Sequence, residues 1–303
     1  MDISRIYINY NTISLIKDSI NSVIKKTVGV TYEIIVVDNN TQDLQPLLSL
    51  YHNIKIVQLK ENLGFGRANN AGVRFAKGNF LFFLNPDTIL INNAIGEMYN
   101  VIKSDRKAGV VGGNLYGIEN QPIHSYNEEF FTWRQVVRKL WKRGDSKDDR
   151  IKRQFNFTES IMIVGYITGA DLMISRNLFY KIGGFNKRMF MYFEDVDLCY
   201  KAQKKGFYCI NVPSAKIKHL EGQSLSYIKD IDDRALRRRK MNIQSRKIFL
   251  KYTMNPYESF LKISCELAID FVKFWIERFS GKTNPTLRKM IDEDVEYLKY
   301  IIF

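Results

Sequence analysis

Short unbroken runs of apolar residues alternate with amphipathic segments over the first two-thirds of the chain. Apolar runs of about five or six residues are typical of strands that are covered on both faces of a parallel sheet. The pattern predicts strands over 5–10, 33–38, 54–59, 79–84, 108–115 and 166–174, and helices over 12–26, 66–76 and 92–104. Because strand and helix alternate, we predict an α/β domain with a mainly parallel, Rossmann-like sheet flanked by helices.

The pattern changes after residue 228, where we find no further strand signal. The segment Arg234–Lys251 holds eight Lys or Arg and no acid. Asn255 and Pro256 form a helix start, and the helix that they open is largely apolar and aromatic as far as Phe279. One stripe of charges interrupts it, at Lys262, Glu266, Asp270, Lys273 and Glu277.

We therefore expect two parts, an α/β domain over 1–228 and a helical, basic and amphipathic region over 229–303. A polar, charge-rich stretch at about 121–160 interrupts the first part, and we expect a mobile loop with a short helix there. A second start signal at Asn284 and Pro285 predicts a final helix toward Phe303.

Composition narrows the class of protein. The chain has 303 residues, of which 45% are hydrophobic, so a disordered chain is excluded. A formal charge of +14 favours an anionic partner. The three cysteines show no CxxC spacing, which is consistent with reduced thiols. No apolar run is long enough to span a bilayer. We expect a cytoplasmic protein, soluble or bound to the inner face of the cell membrane.

Polar side chains follow two of the predicted strands. Asn85 and Asp87 come after the strand 79–84, and Asp38 and Asn39 end the strand 33–38. Ligands bind at the carboxyl ends of strands in open parallel sheets, so Asp87 could hold a divalent cation against phosphates. Asp38 could contact a ribose or a base. The alternative for both strings is ordinary turn chemistry.

Three further segments carry candidate chemistry. The first segment surrounds a predicted helix start and contains the candidates Asn62, Gly66, Arg67 and Asn69. Glycines, an arginine and amides in this position suit the binding of a polar nucleotide or sugar. The segment fits neither the dinucleotide-binding pattern nor the P-loop pattern. The acids Glu194, Asp195 and Asp197 raise one another's proton affinity, so one of them could act as a general base. They could equally favour the dipole of a helix start. His219, in Lys-His-Leu-Glu-Gly, could be a ligand or a structural histidine.

Taken in order, these strings resemble the inverting family 2 glycosyltransferases of the GT-A fold, and most resemble bacterial rhamnosyltransferases of surface polysaccharide synthesis. The resemblance covers about residues 3–226. Its elements are Asn9-Tyr10-Asn11, VVDNNT, ENLGFGRANNAG, FLNPDT, GADLMI, the GGF…FEDVDL segment and IKHLEGQS.

The resemblance implies a role for each candidate. Asn9, Tyr10, Asp38 and Asn39 would bind the donor nucleotide, and Asp87 with His219 would hold Mg²⁺ or Mn²⁺ against its diphosphate. Asp195 matches the catalytic base, with Glu194 and Asp197 orienting acceptor hydroxyls. Many relatives have Asp-x-Asp where this chain has Asn85-Pro86-Asp87, so the first acid is missing here.

The expected reaction moves a sugar from a nucleotide-diphosphate donor, dTDP-rhamnose or alternatively a UDP-hexose, to a hydroxyl of a glycan or lipid-linked glycan. A distant alternative is a non-catalytic protein that binds an anionic surface or nucleic acid, but no nucleic-acid motif supports it. The helix after Pro256 could pack on the catalytic domain, form a homodimer seam, or bind an anionic membrane surface together with the basic stretch.

Overall fold

The computed structural model describes residues 1–40, 44, 47, 49–51, 53–130, 151–220 and 231–279, and single positions 288, 291, 292, 295 and 298. The side chains of 231–236, 239 and 277 lie outside this description. Half of the predicted insertion, residues 131–150, and most of the predicted last helix therefore fall outside the described residues.

A twisted sheet forms the centre of the described chain. The strands are β1 (Ile3–Asn9), β2 (Tyr32–Asp38), β3 (Ile54–Gln58), β4 (Phe80–Leu84), β5 (Thr88–Leu90), β6 (Ala108–Tyr116), β7 (Tyr126–Asn127), β8 (Met162–Val164), β9 (Tyr166–Ile167), β10 (Asp171–Ser175) and β11 (Tyr208–His219). The helices are α1 (Ile13–Lys26), α2 (Phe65–Val73), α3 (Ala94–Ser104), α4 (Arg176–Lys181), α5 (Glu194–Lys204), α6 (Ile231–Thr253) and α7 (Pro256–Phe279).

The strand order is β3-β2-β1-β4-β10-β6-β11-β5, with β8 also paired to β11 and a separate β7–β9 ribbon. The strands β3, β2, β1 and β4 are parallel, whereas β10 runs antiparallel between β4 and β6. The carboxyl ends of β1, β2 and β4 therefore meet at one edge, and β10 starts from that same edge. This confirms the predicted mixed, mainly parallel α/β architecture.

Helices cover both faces of the sheet because successive side chains of each strand point to opposite faces. Tyr7 packs with the apolar faces of α1 and α3, which supply residues such as Ile16 and Met98. Its neighbours Ile6 and Ile8 pack on the other face with α2, α4 and α5. Burial on both faces explains why these strands read as continuous apolar runs.

One predicted strand was wrong. The segment predicted as a single strand over 166–174 is divided, because Tyr166–Ile167 pairs with β7 while Asp171–Ser175 enters the main sheet. Helix α2 also ends at Val73 rather than at residue 76. The short strands β5, β7 and β8 were not predicted, since two or three residues carry no period that a sequence pattern can show.

The helices α6 and α7 coincide with the predicted segments, but part of the charged stripe of α7 is buried. Lys262, Glu266 and Asp270 of the charged stripe are buried, and Arg246 of α6 contacts Glu266 at 3.0 Å. The large apolar side chains on the other side of α7 are exposed. No helix in the described ranges is long and apolar enough to cross a membrane.

Candidate active site

A cavity of about 430 Å³ opens at the carboxyl edge of the parallel strands. The strand ends and the loop before α2 form one side, and the segment before α5 and helix α6 form the other. The lining residues are Ile8, Tyr10, Thr12, Asn39, Asn62, Gly64, Phe65, Asn85, Pro86, Phe190, Met191, Arg237, Lys240 and Met241. Four of the predicted donor-binding residues thus lie together, namely Tyr10, Asn39, Asn62 and Asn85.

The remaining predicted binding residues make contacts within the protein and do not line the cavity. Asp38 is buried, and its Oδ1 accepts a hydrogen bond of 2.9 Å from Asn9 Nδ2. Arg67 Nε donates to the carbonyl of Leu63 at 2.8 Å, and Asn69 Nδ2 donates to that of Phe65 at 3.1 Å. None of these side chains is among the lining residues. The sheet edge therefore brings the predicted set together but exposes only part of it to the cavity.

Asparagine side chains hold the loop before α2 in place beside the cavity. Asn39 Nδ2 donates to Asn62 Oδ1 at 2.8 Å, and the backbone N–H of Leu63 donates to Asn39 Oδ1 at 2.8 Å. Gly64 has φ +76°, and a Cβ there would lie 2.0 Å from the carbonyl oxygen of Phe190. Only glycine allows this close approach. The loop is therefore fixed against the segment that leads into α5.

Asp87 and His219 come together across the pairing of β5 with β11, which sets His219 opposite Thr88. His219 Nε2 lies 3.3 Å from Asp87 Oδ1 and 3.5 Å from Asn85 Nδ2. Asp87 is buried, and apart from His219 its Oδ1 has no hydrogen-bond partner in the described part of the chain. A buried carboxylate oxygen beside an imidazole is a donor pair that suits a divalent cation. No third His, Cys, Asp or Glu joins them among the described residues.

The acid cluster occupies the first turn of α5. Asp195 is half-buried, and its carboxylate accepts backbone hydrogen bonds of 2.8 Å from Gly169 and from Val196. The carbonyl of Ala170, which follows Gly169, accepts a 2.9 Å hydrogen bond from the backbone N–H of Asn85. The 169–170 turn therefore links the acid to the end of β4, although the two segments lie far apart in the chain.

The three acids differ in environment. Burial, and then the charge of Asp195, raise the pKa of Glu194 to about 8. Burial also raises the pKa of Asp195, against the two backbone hydrogen bonds that lower it. Asp197 is fully buried and lies 3.0 Å from Lys201 Nζ, so burial raises its pKa while Lys201 opposes the shift. The pairing ties the Asp197 carboxylate to the next turn of its own helix.

A strained turn presents these acids. Tyr192 and Phe193 have φ angles of 69° and 63°, which non-glycine residues rarely adopt. Phe249 of α6 packs against the Phe193 ring with centroids 6.0 Å apart, and Ser245 Oγ donates to the carbonyl of Met191 at 2.8 Å. Two consecutive left-handed residues cost free energy that surrounding contacts must offset. Such strain is typical of functional sites.

Several lining residues are not among those predicted from the sequence. Gly64, Phe190 and Met191 lie inside the motifs that carry the resemblance, whereas Arg237, Lys240 and Met241 come from the basic segment. The sequence pattern places that segment outside the α/β domain and favours an anionic membrane surface as its partner. Its run of basic residues was the available signal, but nothing local indicates that α6 packs beside the cavity.

The family description "Glycosyl transferase family 2" matches residues 4–183, more than half of the chain. The chain belongs to this family. The match includes the strand ends, the loop before α2 and the Asn85–Asp87 turn, but ends before α5, β11 and both C-terminal helices. The family membership makes the chain a glycosyltransferase, as the resemblance implied.

Curated relatives agree with this assignment. An N-acetylglucosaminyl-diphospho-decaprenol L-rhamnosyltransferase of Mycobacterium tuberculosis is 26% identical over 63% of this chain and 67% of its own length. A low-salt glycan biosynthesis hexosyltransferase of Haloferax volcanii is 24% identical over 71% of this chain and 65% of its own length. Rhamnosyltransferase WbbL of Escherichia coli is 25% identical over 52% of this chain and 60% of its own length. The matches span about two thirds of these relatives.

A solved structure supports the fold. The crystal structure of GalNAc-T7 with UDP, GalNAc and Mn²⁺ matches 72% of this chain and 43% of that chain, with a TM-score of 0.57 and 20% sequence identity. At this identity the likeness concerns the fold alone, and it agrees with the GT-A architecture.

The unusual pKa of Glu194 is directly measurable. In carboxyl ¹³C NMR of protein labelled at glutamate, we expect Glu194 to titrate near pH 8, with the Glu194→Gln variant identifying its signal. The Asp195→Asn variant should lower that pKa, because it removes a neighbouring negative charge. A Glu194 signal that titrates in the ordinary carboxyl range would contradict the buried, charge-coupled environment.

Proposed function

We propose that this chain is an inverting glycosyltransferase that moves a sugar from a nucleotide-diphosphate donor to a hydroxyl of a glycan or lipid-linked glycan. The donor that we favour is dTDP-rhamnose, because two of the relatives carry rhamnosyltransferase names. A UDP-hexose donor is the alternative, and the hexosyltransferase relative supports it. The observation that carries the proposal is a cavity lined by amide, cationic and apolar side chains, with two separate acidic sites, Asp87 with His219 and Glu194 with Asp195, whose acids lie in the segments that follow its lining residues.

The donor nucleotide would enter the cavity beside Tyr10, Asn39 and Asn62. Amide groups held by one another, as Asn39 and Asn62 are, keep fixed directions and can recognise the polar edges of a base or ribose. Asp38 would act from behind this surface, through its hydrogen bond to Asn9. The diphosphate would then reach the end of β4, where Asn85 and Pro86 line the cavity.

Asp87 and His219 would hold a divalent cation, Mg²⁺ or Mn²⁺, with the donor's diphosphate completing the coordination. The fit rests on the buried Asp87 Oδ1 and on its 3.3 Å separation from His219 Nε2. When bound, such a cation would neutralise charge on the leaving diphosphate. The amide of Asn85, 3.5 Å from His219, would orient the ring rather than add a negative charge.

Asp195 would act as the general base. Its carboxylate would take the proton of the acceptor hydroxyl while that oxygen forms a bond to the anomeric carbon. The bond from that carbon to the diphosphate oxygen breaks, and its electron pair leaves with the nucleoside diphosphate. Attack from the face opposite the leaving group inverts the anomeric centre. A raised pKa makes Asp195 a stronger base than an ordinary aspartate, and the two backbone N–H groups hold it in place.

The base role predicts a separation of turnover from binding. Asp195→Asn should lower kcat by roughly 10²–10⁴-fold, because general-base assistance is lost. Affinity for the nucleotide should stay within about threefold, since Asp195 is not among the residues lining the nucleotide cavity. Enzyme assays and calorimetric titration measure the two effects. Asp18→Asn, a change of an exposed acid on α1, is the matched control. Near-normal turnover by Asp195→Asn would remove it from the base role.

We also propose that α7 docks on an anionic membrane surface where a lipid-linked acceptor would be found. Phe271, Val272, Trp275, Ile276 and Phe279 are between 41% and 84% exposed, while the helix's charges at 262, 266 and 270 face inwards. Arg278 lies beside Trp275 on the same side. Aromatic side chains beside cations, on a chain of net charge +14, suit the interface of an anionic bilayer.

This surface can be tested with vesicles of phosphatidylglycerol and phosphatidylcholine. We expect the Trp275→Ser, Phe279→Ser double variant to sediment with them much less than the parent. Ile118→Ser, a change of an exposed apolar residue elsewhere, should have no effect. Equal sedimentation of both proteins would reject the membrane proposal. A parent dimer that the double variant converts to monomer, without vesicle binding by either, would assign the surface to a second copy instead.

A further inference from the structure

Helix α6 lies outside the family match at residues 4–183, and yet it forms one wall of the cavity. Arg237, Lys240 and Met241 line the same cavity as Asn85 and Pro86, which end β4. Both cationic side chains are exposed to solvent. An element that the family description does not include therefore contributes to the donor site.

Packing determines which face of α6 meets the cavity. Arg237, Met241, Ser245 and Phe249 are spaced at intervals of four and so share one face of the helix. Phe249 packs between Phe193 and Tyr200, with centroid distances of 6.0 and 5.4 Å. The hydrogen bond from Ser245 to the carbonyl of Met191 lies one turn closer to the cavity. Met241 and Arg237 lie one and two turns before Ser245 on this face, at the cavity. The contacts of Ser245 and Phe249 therefore fix their position.

The charge of the cavity is one-sided. Among the described residues that line it, Arg237 and Lys240 are cations and none is acidic. Asn85 at the end of β4 is neutral, and so it binds a cation more weakly than a carboxylate would. A nucleoside diphosphate is a polyanion whose charge increases as the bond to the sugar breaks. Cations at the cavity wall would offset part of this negative charge.

We infer that Arg237 and Lys240 bind the diphosphate of the donor and stabilise it as the leaving group. The inference rests on the proposed function and assigns a substrate-binding role to the C-terminal region. A guanidinium can contact two phosphate oxygens at once, and an ammonium adds a point charge that follows the departing group. The same diphosphate chemistry occurs in a prenyl-diphosphate-linked acceptor, so the experiment must separate the two sources.

The test compares the parent with the double variant R237Q/K240Q by calorimetric titration of dTDP, UDP and GDP, with Mn²⁺ and with EDTA. For the nucleotide that the parent binds, we expect the double variant to bind about tenfold more weakly in both conditions. The corresponding nucleoside, which lacks the phosphates, should bind both proteins equally. Farnesyl diphosphate serves as the probe for a lipid diphosphate. The control K205Q/K251Q removes two exposed lysines that do not line the cavity.

The outcomes are distinct. Loss of affinity for the nucleoside diphosphate in R237Q/K240Q, but not in the control variant, supports the inference. Equal nucleotide affinity of parent and double variant overturns it while leaving the proposed function standing. Loss of farnesyl diphosphate binding alone also overturns it, because the cations would then serve the acceptor. Failure of the parent to bind any of the three nucleotides would overturn the proposed function itself.

Discussion

The site depends on one constraint, the alignment of strand ends at a single edge of the sheet. β1 and β2 are paired in register to their last residues, so Asn9 stands beside Asp38 and hydrogen-bonds to it. β4 ends beside them, and the antiparallel β10 starts at the same edge with Asp171 opposite Leu84. The turn before β10 then holds Asp195 through Gly169. Residues from distant parts of the chain meet because the backbone ladder admits few alternatives.

Contacts from two other segments support the turn that carries the acids. Two left-handed residues at 192 and 193 cost on the order of 1–3 kcal/mol each, and they persist only where neighbouring contacts require them. Gly64 closes against Phe190 from one side, and Phe249 packs behind Phe193 from the other. Helix α6 thus supports the position of Asp195 and lines the cavity. The described part of α6, which lies beyond the family match, therefore packs with the segment that leads into α5.

Much of the fold could be predicted from the sequence, since strands buried on both faces leave unbroken apolar runs such as Phe80–Leu84. The motifs also include three of the amides that line the cavity. What could not be predicted is non-local. Asp87 meets His219 because β5 pairs with β11, and α6 is held beside the cavity by contacts such as those of Ser245 and Phe249. Similarly, the sequence of α7 shows a charged stripe at Lys262 and Glu266. It does not show that this stripe is buried or that Glu266 contacts Arg246 of α6.

The proposed function requires a nucleotide-diphosphate site that a divalent cation completes at Asp87 and His219. Titration of dTDP, UDP and GDP into the unmodified protein, first with Mn²⁺ and then with EDTA, measures this directly. We expect one nucleotide to bind clearly better than the others, and we expect chelation to weaken its binding. Binding that EDTA leaves unchanged would exclude a metal at Asp87 and His219. Binding of none of the three nucleotides under either condition would contradict the proposed function.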